Sequence, residues 1–332
     1  MDRRQVDRRT FILTSTLAGV AAPFLVEAQQ AGRVWKVGVL EPGHLAVQAH
    51  LIEAFRQGLR ELGYLEGRNL VIERRFAEGT LERLPELAAE LARLKVDVIV
   101  AAGTPAIKAA RQATREIPII MSAVGDPVGE GLVASLARPG GNITGVTVQS
   151  PELSAKRLQL LKEAVPRVSR VAIVWDPRIV HEVNGFNEAE IAARSLGLTL
   201  LSVRVKRPDD LEVAFAGAAR DGANGVFVFP NSITTDYGKR IADLALKHRL
   251  PGVYGVGELA EAGGLLAYGP VRADNYRKVA AFVDKVLTGA RPGDLPIQQP
   301  TKFELVINLR TAKALGLAIP QSVLLRADRV IE

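Results

Sequence analysis

The chain of 332 residues contains no cysteine. It can therefore form no disulfide, bind no metal through thiolate, use no cysteine nucleophile and carry no lipid on an N-terminal cysteine. Histidine is also scarce, and the four histidines, His44, His50, His181 and His248, show no spacing typical of a metal site. From these residues we expect no metal and no other cofactor.

Aromatic residues make up only 5% of the chain, although the net charge is +7. Proteins that bind nucleic acid concentrate Lys and Arg in patches, often beside aromatic side chains that stack on bases. Here Lys and Arg are scattered along helix faces, so nucleic acid is not an expected partner. The hydrophobic fraction of 48% predicts a globular protein, and its length suits two domains.

The first 28 residues predict a bacterial export signal. A basic start is followed by an apolar stretch over 11–25 and by the cleavage pattern Val26-Glu27-Ala28. The segment "DRRTFI" at 7–12 resembles a twin-arginine motif, while Sec export stays open. The apolar stretch is too short and too polar to span a bilayer of about 30 Å. We expect cleavage, a soluble periplasmic protein without a membrane span and, since cysteine is absent, no lipoprotein.

After Gln30, short runs rich in β-branched residues alternate with amphipathic helical stretches. A first series comprises "VWKVGVL", "NLVIERRF", "VDVIVAA" and "PIIMSAV", and a second comprises "RVAIVW", "LTLLSVRV", "GVFVFP", "PGVYG" and "GLLAYG". Between them, residues 137–153 are rich in Pro, Gly and small polar residues. This alternation predicts an α/β protein of two similar Rossmann-like lobes, each with a parallel sheet covered by helices on both faces.

Candidate binding residues follow the predicted strands, because ligands of open parallel sheets bind beyond the carboxyl ends of the strands. At each exit a small or polar residue that can cap a helix stands beside a Pro. The candidate residues at these exits are Pro42, Gly43 and His44; Thr104 and Pro105; Gly125 and Asp126; Asp176; Asn231 and Ser232. Singly, each is typical of an ordinary helix start. Together they would surround one crevice suited to a zwitterionic solute. Backbone N–H groups and Thr104 would take a carboxylate, and Asp126 or Asp176 an ammonium.

Tyr254 and Tyr268 lie at or beside strand ends of the second series, with Trp175 at another. They would form either an aromatic wall of the crevice or ordinary core.

One segment favours an enzyme. "GVGELA" at 255–260 follows the strand "GVY" and has the G-x-G-x-x-A pattern of dinucleotide-binding proteins. That fingerprint belongs in the first βαβ unit, with an acidic residue ending the next strand about twenty positions later, whereas Asp274 falls at a helix start. Neither a G-x-S-x-G elbow nor a phosphate-binding G-x-x-x-x-G-K-[ST] loop occurs.

Five segments together carry a resemblance to a known family: "AFRQGLRELGYLEGRN", "AEGTLERLPELAAELARLKVDVIVAAGTPA", "IPIIMSAVGDPVGEGLVASLARPGGNITGVT", "ELSAKRLQLLKEAVPRVSRVAIVWDP" and "PTKFELVINLRTAKALGLAIPQSVLLRAD". The chain resembles the ABC transporter substrate-binding proteins of the tryptophan/tyrosine uptake type. The resemblance implies a type I periplasmic binding-protein fold, in which three crossovers join the lobes and the solute lies between them. It implies no enzymatic reaction.

The resemblance also implies the domain organisation and the partners. Lobe 1 would comprise residues 29–145 and 272–298, and lobe 2 residues 146–271 and 299–332. A monomer would capture a small amino-acid-like or carboxylated solute by hinge closure and deliver it to an ABC permease and its ATPase. Aromatic amino-acid binders tend to have an Asp-Asn pair after "FVFP", where this chain has Asn231-Ser232.

Two other functions stay open from the residues alone. One is a twin-arginine-exported, nucleotide-dependent oxidoreductase, and the other is a sensory module that reports ligand binding to a membrane receptor.

Overall fold

The computed structural model describes residues 33–148 and 153–332. The predicted export signal at 1–28 lies outside these residues. Within the described ranges, no helix has the length and apolar character needed to cross a bilayer.

Twelve strands are described, and hydrogen bonds join them into one sheet of five and one of seven. They are β1 (Trp35–Glu41), β2 (Leu70–Phe76), β3 (Val98–Ala101), β4 (Ile119–Val124), β5 (Ile143–Thr147), β6 (Arg170–Trp175), β7 (Thr199–Arg204), β8 (Gly225–Val228), β9 (Gly252–Tyr254), β10 (Leu266–Pro270), β11 (Phe303–Asn308) and β12 (Arg329–Ile331).

The α-helices of the described ranges alternate with these strands. They are α1 (Leu45–Glu61), α2 (Leu84–Arg93), α3 (Gly103–Ala113), α4 (Leu153–Ala164), α5 (Val180–Leu196), α6 (Asp210–Arg220), α7 (Ser232–Asp236), α8 (Gly238–Lys247), α9 (Gly257–Glu261), α10 (Arg272–Leu287), α11 (Leu309–Leu315) and α12 (Gln321–Leu324). Short 3₁₀ helices occur at Leu81–Arg83 and Pro292–Asp294.

Lobe 1 contains the five-stranded sheet, in the order β2-β1-β3-β4-β5 with every pair parallel. Every residue of β3 is buried, because helices cover both faces of the sheet. Two apolar cores result, one on each face. Helix α10 completes the first core, where Tyr276, Val279 and Phe282 pack among residues of α1 and β1.

Lobe 2 contains the seven-stranded sheet, in the order β12-β11-β10-β9-β8-β6-β7. All pairs are parallel except β10 with β11, so this sheet is mixed rather than wholly parallel as the sequence pattern predicts. The reason is the chain path: β10 leaves lobe 2 at Pro270, and the returning chain begins β11 at Phe303, directly opposite Pro270. The new strand therefore runs back in the opposite direction.

The chain passes between the lobes three times. The first connection joins Thr147 to Leu153 and includes residues 149–152, which lie outside the described ranges. The second is the tight turn from β10 into α10, and the third runs from Gln298 to β11. The connections lie side by side, since Thr147 N–H donates to Gln298 O at 2.9 Å and Val271 N–H donates to Lys302 O at 3.1 Å. The strand exits of both lobes consequently face one cleft.

Candidate functional site

A cavity of about 430 Å³ lies in the cleft between the two lobes. Lobe 1 contributes the ends of β1, β3 and β4 and the first turns of α3 and α10, while lobe 2 contributes α4 and the exits of β6, β8 and β9. Carboxyl ends of parallel strands thus meet from both sides, which is where this sheet architecture binds ligands. The volume suits a small molecule.

Half of the twelve predicted residues line this cavity: Pro42, Thr104, Pro105, Asp176, Asn231 and Ser232. Their contact with a solute remains a prediction.

Gly43 and Gly125 contact the opposite lobe instead. A Cβ atom at Gly43 would lie 2.7 Å from Asp236 Oδ1, and one at Gly125 would lie 2.4 Å from His181 Cγ. Neither distance leaves room for a Cβ atom unless the facing side chain moves, so glycine at both strand exits permits the two lobes to approach. Both residues are part of the interface between the lobes rather than of the cavity wall.

His44 and Asp126 also lie outside the cavity lining. His44 Nδ1 is 2.8 Å from Glu78 Oε2, and its ring meets Tyr237 of lobe 2 edge to face, with centroids 6.3 Å apart. Asp126 Oδ1 accepts from the N–H of Gly129 at 2.8 Å, and Oδ2 accepts from Asn184 Nδ2 of lobe 2 at 3.4 Å. Both strand exits therefore contribute polar contacts to the rim between the lobes.

The predicted aromatic side chains form no wall of the cavity. Tyr254 is fully buried in the lobe 2 core, where its ring packs over Gly252 and Gly264. Tyr268 stacks on Phe303 with centroids 6.1 Å apart. Successive residues of a strand point to opposite faces, so a position near the strand end does not by itself direct a side chain into the cleft.

Trp175 belongs to the core as well, stacked on Phe186 with its Nε1 donating to Ser202 Oγ at 2.9 Å. The tyrosine that does line the cavity is Tyr276, on α10. Sequence reasoning missed it because it lies within a long amphipathic helix, away from any strand exit.

Asp176 lines the cavity, but both of its oxygens already accept from Arg178. Arg178 Nη2 lies 2.6 Å from Oδ2, and Nε lies 2.9 Å from Oδ1. A ligand ammonium at Asp176 would compete with this bidentate pair, the strongest common geometry for a carboxylate.

Glu182 positions two of the predicted residues from beneath the cavity. Its Oε2 accepts from Asp176 N–H at 2.6 Å, and its Oε1 accepts from Asn231 Nδ2 at 2.8 Å. Asn231 Oδ1 in turn accepts from Thr234 N–H at 2.9 Å and caps α7. Burial raises the pKa of Glu182 to about 8. Glu182 thus fixes the two strand exits relative to each other.

Glu41 is a buried carboxyl group on the lobe 1 side of the cavity. It ends β1, is 1% exposed, and accepts from Tyr276 Oη at 2.8 Å through Oε1. Burial raises its pKa to about 7, although the hydrogen bond from Tyr276 and the nearby Arg272 guanidinium oppose that shift. Sequence reasoning placed Glu41 at the first strand exit but did not include it among the candidate binding residues.

Arg157 is the corresponding buried group on the lobe 2 side, at 0% exposure. Its Nε donates to Tyr268 O at 2.8 Å and its Nη2 to Gly255 O at 3.1 Å, and burial lowers its pKa to about 10. A signal for it existed in the sequence: Leu153 and Leu161, four residues before and after it on α4, place it on the buried face of that helix.

Two further polar atoms of residues at the cavity are buried without a hydrogen-bond partner among the described residues. They are Thr104 Oγ1, in the first turn of α3, and His181 Nδ1, near the start of α5. Burial lowers the pKa of His181 to about 4, so its imidazole is neutral at physiological pH. The site therefore offers an uncharged imidazole and a hydroxyl beside its charged groups.

The glycines of "GVGELA" serve packing. A Cβ atom on Gly255 would lie 2.5 Å from Pro230, and one on Gly257 would lie 2.4 Å from Glu304 Oε1. The helix that follows, α9, has only five residues. The pattern that suggested dinucleotide binding is thus explained by close approach of lobe 2 side chains.

A family model described as ABC transporter substrate binding protein matches residues 36–331. The tyrosine-binding protein of Clostridioides difficile (strain R20291) is 27% identical over 267 residues, which cover 80% of this chain and 76% of the relative.

Two solved structures are similar over 90% of this chain and 100% of theirs. One is a conserved domain protein from Vibrio cholerae O1 biovar El Tor, with a TM-score of 0.85 and 27% identity. The other is an ABC domain in complex with L-Trp from Streptococcus pneumonia, with a TM-score of 0.84 and 26% identity.

Proposed function

This chain belongs to the family of ABC transporter substrate-binding proteins, and on that premise we propose that it captures a small amino-acid-like or carboxylated solute for an ABC importer. Its two α/β lobes have the type I periplasmic binding-protein fold. The observation that carries the proposal is the cavity of about 430 Å³, whose wall combines polar and charged groups from both lobes.

Capture proceeds by hinge closure. A ligand shifts an open–closed equilibrium only through contacts that it gains in the closed state, so both lobes must touch it. On lobe 1 the proposed contacts are Pro42, Thr104 and Pro105, and on lobe 2 they are Asp176, Asn231 and Ser232. The hinge is the set of three adjacent connections between the lobes.

Direct contacts between the lobes support a closed arrangement. Gly43 approaches Asp236 and Gly125 approaches His181. Polar contacts also bridge the lobes: Glu258 Oε1 of lobe 2 lies 3.3 Å from His50 Nε2 and forms an ion pair with Arg272, whose Nη1 is 3.4 Å away. These contacts would hold the two lobes together around a bound solute.

Two relatives bear on the ligand class. One is named for tyrosine binding and the other was solved with L-Trp. We extend to this chain the general class, an amino acid or a small carboxylate. The side chain of the solute need not be aromatic here. Among the described residues that line the cavity, Tyr276 is the single aromatic residue of the Phe, Tyr and Trp types.

The proposal includes export and delivery. The segment 1–28 would direct the chain to the periplasm and be removed, and the mature monomer, without a lipid anchor, would present its closed form to a permease driven by an ATPase.

Native mass spectrometry of the mature protein, from residue 29 onward and purified gently from the periplasm, tests the proposal. We expect an added mass that is released on denaturation and identified as an amino acid or a small carboxylate. The denatured and refolded protein is the control, and it should regain that mass on incubation with the released compound. A dinucleotide mass would contradict the proposal in favour of an exported oxidoreductase.

A further inference from the structure

The charges that line the cavity are mostly neutralised within the protein. Seven Lys, Arg, Asp or Glu side chains line it. Five of them are in ion pairs. Arg178 pairs with Asp176 at 2.6 Å and Lys108 with Glu130 at 2.8 Å, and all four line the cavity. The fifth, Arg272, pairs at 3.4 Å with Glu258, which does not line the cavity. The two left over are Arg157 and Glu41, which have no ion-pair partner within 4.0 Å in the part of the chain that the structure describes. Among the described cavity-lining side chains, one cation and one carboxyl group therefore remain without an ion-pair partner from the described residues.

Among the described residues, Arg157 uses only part of its hydrogen-bonding capacity. A guanidinium carries five N–H donors in a planar fork, and its described hydrogen bonds go to two backbone carbonyls, Tyr268 O and Gly255 O. These carbonyls hold the guanidinium in place without neutralising it. A buried charge is normally paired, so a cation held in this way at the wall of a cavity is suited to an anionic ligand group, and its fork matches a carboxylate.

Glu41 offers the opposite charge from the other lobe. Tyr276 occupies Oε1, while Oε2 has no hydrogen-bond partner among the described residues. Arg272 and Asp236 are the charged groups that influence it, and they act in opposite directions. A cationic ligand group would supply the partner that Glu41 lacks and would favour its ionised form.

We propose that Arg157 binds the carboxylate of the solute and Glu41 binds its ammonium, so that the transported solute is a zwitterionic amino acid spanning the two lobes. This inference rests on the proposed function and makes it more specific. It assigns the charge recognition to two residues other than Asp126 and Asp176. It also gives a reason for closure, because only the closed cleft brings both charges of the protein to one small ligand.

Matched ligands test the requirement for both charges. L-Leucine is compared with 4-methylpentanoate, which lacks the ammonium, and with 3-methylbutylamine, which lacks the carboxylate. L-Tryptophan is compared in the same way with indole-3-propionate and tryptamine. Calorimetry on mature protein freed of bound solute should show at least one amino acid binding about 100-fold or more tighter than either of its one-charge analogues.

Variants then assign each charge. Glu41→Gln keeps the size of the side chain and should weaken binding of the amino acid at least tenfold, while affinity for the deaminated acid changes less than threefold. Arg157→Met should weaken binding of both the amino acid and the deaminated acid, and Arg157→Lys, which keeps a cation, should recover part of the loss. Lys313→Gln removes a positive charge at an exposed position of α11 that does not line the cavity, and it is the matched control, with a change below threefold.

The outcomes separate this inference from the proposed function. If the wild-type protein binds an amino acid and either Glu41→Gln or Arg157→Met leaves its affinity unchanged, the inference is wrong and solute capture stands. The inference is also wrong, and solute capture still stands, if a neutral polyol or the deaminated acid binds as tightly as the amino acid. If neither these probes nor a panel of amino acids, carboxylates and sugars binds, both fail. Should Arg157→Met not fold, the analogue series on wild-type protein and Glu41→Gln still decide the matter.

Discussion

The imidazole of His181, on lobe 2, lies directly over Gly125 of lobe 1, so that a Cβ atom at position 125 would come within 2.4 Å of its Cγ. The residue is half-buried there, and its buried Nδ1 has no hydrogen-bond partner among the described residues. This contact is made by packing across the cleft. Under the proposed hinge closure, the strand exit at Gly125 would form this contact only when the lobes come together, so we expect Gly125 to act on closure.

Replacing Gly125 by Ala should weaken solute binding without unfolding the protein. The added methyl group disfavours the closed state, and a cost of 1–2 kcal/mol corresponds to a loss of about tenfold in affinity. Calorimetry measures the affinity, and small-angle scattering measures the radius of gyration, which should shrink less on ligand addition than in wild type. Gly217→Ala, on α6 with no heavy atom closer than 3.8 Å, is the control. Equal affinities for both variants would contradict the role of Gly125.

Solute binding should weaken on acidification if Glu41 pairs with an ammonium. Burial raises the pKa of Glu41 to about 7, so below that pH the carboxyl group must release its proton before it can pair. From pH 7 to pH 5.5 we expect affinity to fall by about tenfold per pH unit. Calorimetry in two buffers of different ionisation enthalpy should detect proton release on binding near pH 6.5. A wild-type profile as flat as that of Glu41→Gln would show that Glu41 does not titrate on binding.

We expect the free energy of unfolding to fall as the pH rises, because Glu182 loses its proton. Its folded-state pKa is raised to about 8 from 4.5 by burial, so folding favours the protonated form. The stabilising contribution is complete below pH 4.5 and is lost as the pH rises through 8, by an amount of a few kcal/mol at most. Urea unfolding at pH 5.5 and 8.5 measures it. Glu182→Gln, which mimics the protonated acid, should show a smaller difference between the two pH values than wild type or Glu190→Gln, an exposed site on the same helix. An equal difference in all three proteins would rule out this role.

Tyr254→Phe should leave solute affinity within about twofold of wild type. The phenol ring is 0% exposed and lies in the lobe 2 core rather than at the cavity, and removing a hydroxyl that does not touch the ligand costs no binding energy. Calorimetry checks the affinity, and Tyr276→Phe provides the comparison, since it removes the hydrogen bond to Glu41. A large loss of affinity in Tyr254→Phe would return this residue to the ligand site.

Half of the predicted residues line the candidate site, and they could be predicted from the sequence because the rule behind them is local. Alternating strands and helices predict a parallel sheet, and parallel sheets bind ligands at their strand exits. Thr104, Asp176 and Asn231 follow strands directly, and all three line the cavity. The same rule placed Gly43 and Gly125 at the cleft, but it could not distinguish a residue that faces a ligand from one that faces the other lobe.

The sequence by itself determined the class of fold, the strand exits at one cleft and the resemblance to a binding-protein family, since hydrophobic periodicity and capping residues act over a few neighbouring positions. Only the tertiary structure decided which charges remain unpaired. Arg157 and Glu41 lie 116 positions apart, and their pairing state depends on distances to side chains from several elements and both lobes. Electrostatic energy depends on separation and burial in space, and neither quantity can be read from the order of the residues.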